Sequence, residues 1–234
     1  MYKRVLLKLS GEQLAGKFDS GIDAELATWL AHEIAEVIAV DTQVVIMVGG
    51  GNYARGAQLA GHGIGRVTAD NIGMLATMMN ALALADVFNN VGVTARALTN
   101  IKADQVADQF THRRAISDLN KGRVVIVAGG IGRPYLTTDT AAVSLALELN
   151  CEVVLKATKV DGVYDRDPAK HKDAKRIEML SFDEAVSNNA IAVMDKAALG
   201  LAMEHKLPII VFDALNDGNI QKVAAGETVG TKID

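Results

Sequence analysis

The residues with the most chemistry to offer are a few cations and carboxylates set beside glycines. The richest stretch is VVIVAGGIGRPYLTTDTAA at 124–142. Gly129, Gly130 and Gly132 free the backbone to approach a ligand closely, and Pro134 fixes the exit of the turn. Thr137, Thr138, Asp139 and Thr140 offer capping oxygens to the apolar helix that follows, and the N–H groups of such a helix start favour an anion. An ordinary strand-to-helix corner uses the same residues, so this stretch does not decide by itself. Lys8 ends the apolar run 5–9, where ligands usually meet an α/β sheet, although a solvated strand end would look the same. The run 43–48 leads into GGGNYARG, and Arg55, expected one turn into the next helix, can present a planar fork to a phosphate. Two glycine-rich loops after two strands favour an anion over bare turns. Asp70 opens a long helix as either a dipole partner or a ligand acceptor. Farther on, Tyr164 suits a base or ring contact, and Asp161, Asp165 and Asp167 lie in a charged loop where a phosphate-bound metal or plain solvation fits equally.

Several patterns exclude function classes. GEQLAGKF at 11–18 nearly matches a phosphate loop, but Phe18 stands where a Ser or Thr must hold magnesium, and Asp19, Ser20 and Gly21 break the required helix. Gly49, Gly51 and Ala54 fit a dinucleotide fingerprint, yet they follow the second strand, and Asp70 opens a helix instead of ending a strand. Cys151 is the only cysteine, so no intrachain disulfide forms and it reads as a small buried residue. The five histidines lack ligand spacing, which argues against zinc. A net charge of −4 gives no footprint for nucleic acid or an anionic membrane. The apolar stretch in MYKRVLLKLSGE is short and broken by Lys8, unlike a signal peptide or membrane span, so the expected location is cytoplasmic.

The elements that must position these residues alternate along the 234-residue chain. Strands are expected at 5–9, 43–48, 94–99, 124–128, 151–156 and 209–212, with an edge strand at 228–233. Helices are expected at 23–40, 68–89, after Thr140, at 183–186 and at 195–206, and a solvated helix carries His112, Arg113 and Arg114 with no function assigned. Such alternation predicts one α/β domain over 1–234, with an N-terminal lobe to about 119 and a C-terminal lobe from about 120. The helix at 68–89 is apolar almost all round, with Met74, Met78 and Met79 among its packing residues. It must be covered by the sheet and by another subunit, which predicts a homo-oligomer; complete burial within one subunit is the alternative.

Read together, KLSGE at 8–12, GGGN with Arg55, DNIGMLATMMN at 70–80, PYLTTDTAA at 134–142, LKATKVDGVYDRDP at 155–168 and the closing GETVGT resemble the UMP kinase (uridylate kinase) branch of the amino-acid kinase superfamily. The likeness runs the length of the chain in unbroken order. It implies a three-layer α/β/α sandwich with a largely parallel sheet, assembled as a homohexamer. It also implies transfer of the ATP γ-phosphate to UMP in pyrimidine nucleotide biosynthesis, with Mg²⁺ as cofactor. The C-terminal lobe would bind ATP and the N-terminal lobe the acceptor. Carried over, Lys8, Leu9, Ser10 and Gly11 would meet the ATP phosphates, Gly51 and Arg55 the nucleotide junction, and Thr158, Tyr164 and Asp167 the rest of ATP. Gly50 would face UMP, Asp70 would accept from its ribose, and Ile131, Gly132, Arg133, Pro134, Tyr135, Leu136, Thr137 and Thr138 would wrap its phosphate and base. Lys8, Arg55 and Asp139 form the catalytic set, with Asp139 organising lysine and magnesium, the metal being held mainly through ATP phosphates. Arg133 departs from the family's usual asparagine and is expected to touch the acceptor phosphate. GTP activation and UTP inhibition belong to the same resemblance. Two other readings share the fold: a molybdate and tungstate storage protein, and a kinase for an amino acid or carbamate. Lys8, Asp70 and Asp139 speak for catalysis against the first, and the Asp70 helix and TTDTAA argue against the second.

Overall fold

The computed structural model describes every residue except 62, 167, 169, 172 and 189–192. Among the described residues the first half of the chain forms β1 (Arg4–Leu9), α1 (Gly11–Leu14), α2 (Ala24–Ala39), β2 (Gln43–Val48), α3 (Gly56–Ala60), α4 (Arg66–Asn90), β3 (Ala95–Thr99), β4 (Asp108–Gln109), α5 (His112–Leu119) and β5 (Val124–Ala128). The second half forms α6 (Thr138–Glu148), β6 (Val153–Thr158), β7 (Val163–Tyr164), β8 (Arg176–Ile177), β9 (Met179–Leu180), α7 (Phe182–Ser187), α8 (Lys196–Glu204), β10 (Ile209–Asp213), α9 (Asn219–Ala224) and β11 (Thr231–Ile233).

Among the described residues nine strands make one sheet in the order β4-β3-β5-β2-β1-β6-β10-β11-β9, and β7 pairs separately with β8. Within the nine-stranded sheet neighbours run parallel except β10 and β11, and the separate β7–β8 pair is antiparallel. The central strands are buried on both faces, which is why they read as unbroken apolar runs. Their alternation divides the core in two. Val5, Leu7, Ile46, Ile126 and Leu155 join α2, α4 and α9 on one face. Leu6, Val45, Val125 and Val154 join α5, α6 and α8 on the other. The result is the three-layer α/β/α sandwich with a largely parallel sheet. The chain position near 119 is not a gap in space, because β5 inserts between β2 and β3.

Departures from the expected elements have local causes. The closing strand starts at Thr231 and is not an edge, because the two-residue β9 lies outside it. β4, β9 and the β7–β8 ribbon are each two residues long per strand, too short to carry a periodic signal. The helix α4 is not enclosed by one chain, since Leu75 and Met79 are 52% and 49% exposed, so the complete-burial alternative fails. Length and composition would let α4 cross a membrane. It is instead a core helix, with Leu84 and Phe88 fully buried against the sheet and Asn80 buried and hydrogen-bonded.

Candidate active site

The strand register builds the centre of the site. Lys8 in β1 and Lys156 in β6 are Cα partners across a parallel pair. Period-two alternation points both toward the layer that holds α6. Thr137 caps α6, its Oγ1 accepting from Asp139 N at 3.0 Å and Thr140 N at 3.4 Å. These N–H groups therefore have an internal acceptor and are not bare, so the helix start is not itself a free anion site. What it does is aim Asp139 back at the sheet. Lys8 Nζ lies 2.7 Å from Asp139 Oδ1, and Lys156 Nζ donates to Oδ2 at 2.6 Å and also to Val193 O. Side-chain exposure is 11%, 13% and 14% for Lys8, Asp139 and Lys156, low enough for charges to interact strongly. Burial alone would push the Asp139 carboxyl up, but the Lys8 and Lys156 ammonium groups outweigh it and hold it below its ordinary value. Burial pulls the Lys156 ammonium down, only partly offset by Asp139, and Lys8 adds like-charge repulsion. Two cations thus share one carboxylate at the carboxyl ends of two central strands, where the chain leaves β1 on one side and returns to it through β6 on the other. Such switch points are where open α/β sheets bind ligands.

The glycine loop after β2 is held tightly beside this centre. A Cβ on Gly11 would meet Gly51 N at 2.6 Å and Asn52 Oδ1 at 2.5 Å, and one on Gly50 would meet Gly73 O at 2.7 Å. Only glycine allows these backbones to touch. Asn52 and Asn80 exchange amide hydrogen bonds at 2.9 and 2.7 Å, and Asn80 also donates to Gly49 O at 2.7 Å. Arg55 is not one turn into a helix; it is the N-cap of α3, because Tyr53 N and Ala54 N both turn back to Gly50 O and delay the helix. Its guanidinium is exposed and pairs with Glu12 of α1.

On the far side, Asp70 of α4 joins the 129–138 loop. Tyr135 N donates to Asp70 Oδ2 at 2.8 Å, Arg66 Nε donates to both Asp70 oxygens at 3.0 and 2.8 Å, and the Arg66 guanidinium sits 5.1 Å from the Tyr135 ring centre. Tyr135 has a φ of 67°, a left-handed conformation uncommon outside glycine and held here by that hydrogen bond. Ile131, Gly132 and Pro134 are half-buried in the same loop, while Arg133, Tyr135, Leu136 and Thr137 are exposed. Thr137 also donates through Oγ1 to Asp195, the N-cap of α8, and Thr140 Oγ1 donates to the same carboxylate at 2.9 Å.

The remaining expected residues lie at the C-terminal side. Leu9 and Ser10 follow Lys8 out of β1. Thr158 ends β6 opposite Asp213, with Oγ1 donating to Val160 O at 2.6 Å. Tyr164 stands in the β7–β8 ribbon with its hydroxyl donating to Asp161 at 2.6 Å, and Arg176 pairs with the same carboxylate at 3.1 Å. Asp165 Oδ1 accepts from Lys175 N at 2.9 Å. Asp167 lies outside the described residues. Among the described residues no group of three or more His, Cys, Asp or Glu could hold a metal ion. Cys151 is buried, and burial pushes its thiol up to about 12. The centre includes two residues the sequence reading passed over. Lys156 carries a signal in retrospect, a lysine breaking an apolar strand near its carboxyl end as Lys8 does. Asp195 gave none beyond a helix-cap letter.

A parallel sheet with cations, one carboxylate and glycine loops gathered at its carboxyl edge defines an anion-handling α/β protein, and the amino acid kinase family profile matches residues 3–213. The chain belongs to the amino acid kinase family. Among solved structures it is similar to a UMP kinase from Bacillus anthracis, at 40% identity and a TM-score of 0.95, covering 100% of this chain and 96% of that one. It is also similar to a UMP kinase from Ureaplasma parvum, at 32% identity and a TM-score of 0.92, covering 100% and 99%. A uridylate kinase from Archaeoglobus fulgidus matches at 28% identity and a TM-score of 0.74, covering 98% and 99%.

Proposed function

We propose that this chain is a UMP kinase, transferring the γ-phosphoryl group of ATP to UMP. The observation that carries phosphoryl transfer is the enclosed Lys8–Asp139–Lys156 centre. The acceptor is supported by 40% identity along the whole chain to a protein described as a UMP kinase. ATP and UMP are both anionic, so repulsion is a large part of the barrier, and fixed cations and N–H dipoles offset it. Lys8 and Arg55 stabilise charge gathering on the transferring group, the enclosed Lys8 worth about 3 kcal/mol by analogy with oxyanion donors in a dry site and the exposed Arg55 less. Arg55 exchanges Glu12 for phosphate when nucleotide arrives. The attacking UMP phosphate oxygen is already ionised near neutral pH, so no general base is needed and none of the histidines has a part. Asp139 holds the two lysine ammonium groups in place.

Leu9, Ser10, Gly11 and Gly51 line the ATP phosphates, although Ser10 N is already committed to Gln13 Oε1 at 3.1 Å, and Thr158, Tyr164 and Asp167 hold the rest of the donor. Gly50 and Asp70 face UMP, with Ile131 to Thr138 around its phosphate and base. The expected division into an acceptor part at about 1–119 and an ATP part at about 120–234 is crossed by both substrates, since residues 8–11, 51 and 55 serve ATP from the first part and residues 131–138 serve UMP from the second. Magnesium fits as an ion brought by ATP: both Asp139 oxygens already face lysines, and phosphate-borne Mg²⁺ requires few protein ligands. When bound, it would neutralise phosphate charge.

The exposed side of α4 supports self-association, with a homohexamer as the expected state. Leu75→Glu should lower the sedimentation coefficient, and an unchanged value would remove this part of the reading. The deciding assay is ADP release from MgATP with UMP, CMP, glutamate or carbamate as acceptor. Absence of UMP-dependent turnover overturns the function, and CMP working as well as UMP overturns the specificity. GTP should activate and UTP inhibit in the same assay, and turnover indifferent to both would remove the regulatory part. Cell fractionation should find the enzyme in the cytoplasm, and recovery with membranes would contradict that.

A further inference from the structure

Behind the 129–133 loop lies open space. A cavity of about 290 Å³ is lined by Asn100, Phe110, Gly130, Ile131, Ser144 and Leu145, among others. The loop therefore lacks close-packed side chains on that side, and its glycines contribute none. Gly129, Gly130 and Gly132 have φ values of 80°, 53° and 73°, which glycine reaches without steric cost, so hydrogen bonds must select this conformation from the many open to the loop. One such bond comes from α4, with Gly129 N donating to Thr77 Oγ1 at 2.7 Å. Another comes from Asn100, just beyond the end of β3. Asn100 Nδ2 donates to Gly130 O at 2.6 Å. Its backbone is itself fixed, with Asn100 N donating to Ala128 O at 3.0 Å and Asn100 O so close that a Cβ on Gly132 would lie 3.1 Å from it.

We propose that Asn100 is a positioning residue for the phosphate acceptor, its amide holding the Gly130 carbonyl so that the loop keeps this conformation beside the open pocket that it lines. This rests on residues 131–138 being the acceptor clamp. The role demands a donor at that point. An aspartate has the same shape but presents oxygen to the Gly130 carbonyl, and leaving a polar group opposite its like costs more than leaving it bare. Asn100→Asp should therefore release the loop more than Asn100→Ala, although neither substitution touches the two apolar cores.

The test measures KM for UMP and for MgATP in both variants, together with amide hydrogen exchange at Gly132, whose N–H donates to Gly129 O at 2.8 Å. Asn100→Asp should raise the UMP KM about five- to tenfold, Asn100→Ala somewhat less, and both should leave the MgATP KM within about twofold. Gly132 should exchange about tenfold faster in Asn100→Asp, with or without any turnover. A UMP KM within twofold of the parent in Asn100→Asp, an MgATP KM rising in the same proportion, or unchanged Gly132 exchange would each overturn the proposal. Absence of UMP-dependent turnover in the parent would instead overturn the function, and the exchange measurement would still decide whether Asn100 braces the loop.

Discussion

The two ends of the site are held in contrasting ways. Around Lys8, Asp139 and Lys156 every charged group is nearly enclosed, sits on a central strand or a capped helix, and faces an opposite charge within 2.7 Å. Around the 129–138 loop the cations Arg66 and Arg133 are more exposed, and the backbone is held in left-handed turns by single hydrogen bonds, Gly129 N donating to Thr77, Tyr135 N to Asp70, and Asn100 to Gly130 O. The difference follows from register. A lysine on an inner strand must be neutralised because it cannot reach water, whereas a loop beyond the sheet edge can keep its charges solvated. The first region is suited to stabilising a transition state without reorganising, and the second to closing on a molecule that comes and goes.

The sharpest break in this comparison is Asp139→Asn. Loss of the shared carboxylate leaves two ammonium groups facing each other, so kcat should fall on the order of 10²–10³-fold, while the dissociation constant for MgATP changes by less than about fivefold. Single-turnover kinetics and calorimetry on the same preparation separate the two. Near-full activity would make the central role of Asp139 untenable.

A second effect comes from acid. The folded Asp139 pKa lies below its ordinary 3.8, so the group adds stability that is fully present above about pH 4 and is lost as pH falls through the lower folded value. Lys156 is shifted down from 10.5, and its contribution changes only on the alkaline side. Urea midpoints of the parent and Asp139→Asn, measured from pH 7 to pH 3, should therefore differ by a constant amount down to about pH 4 and converge below it. A difference that grew in acid would contradict the sign.

The same contrast governs what the sequence could tell. The fold was legible because five of the inner strands are apolar runs with glycine or polar ends, and α2 and α4 are long enough to show their character. Lys8 and Asp139 were legible by type and place. Lys156 was visible as a lysine in an apolar strand, but its role was not, because that role lies in being the Cα partner of Lys8 across a pairing between residues far apart in the chain. Asn80 had a visible signal, a polar amide within an apolar helix, but its partner Asn52 is 28 residues away and only folding joins them. Arg66 and Asp70 are spaced i,i+4 and pair as that spacing allows. Their link to Tyr135 N crosses 65 residues and had no local trace.

The smallest effect expected is at Arg133, and it probes the loosely held region directly. The residue is exposed beside glycines on the proposed acceptor clamp. A cation so placed gains little when fully hydrated, and salt screens what it gains. Arg133→Asn should raise the UMP KM only on the order of two- to fivefold at low ionic strength, with the difference shrinking toward nothing in added salt. This salt dependence distinguishes it from Asn100, whose neutral hydrogen bond should give nearly the same KM ratio at every ionic strength. Unchanged UMP affinity in Arg133→Asn at low salt would remove the residue from the acceptor site. The loop would then rest on its backbone and its hydroxyls alone.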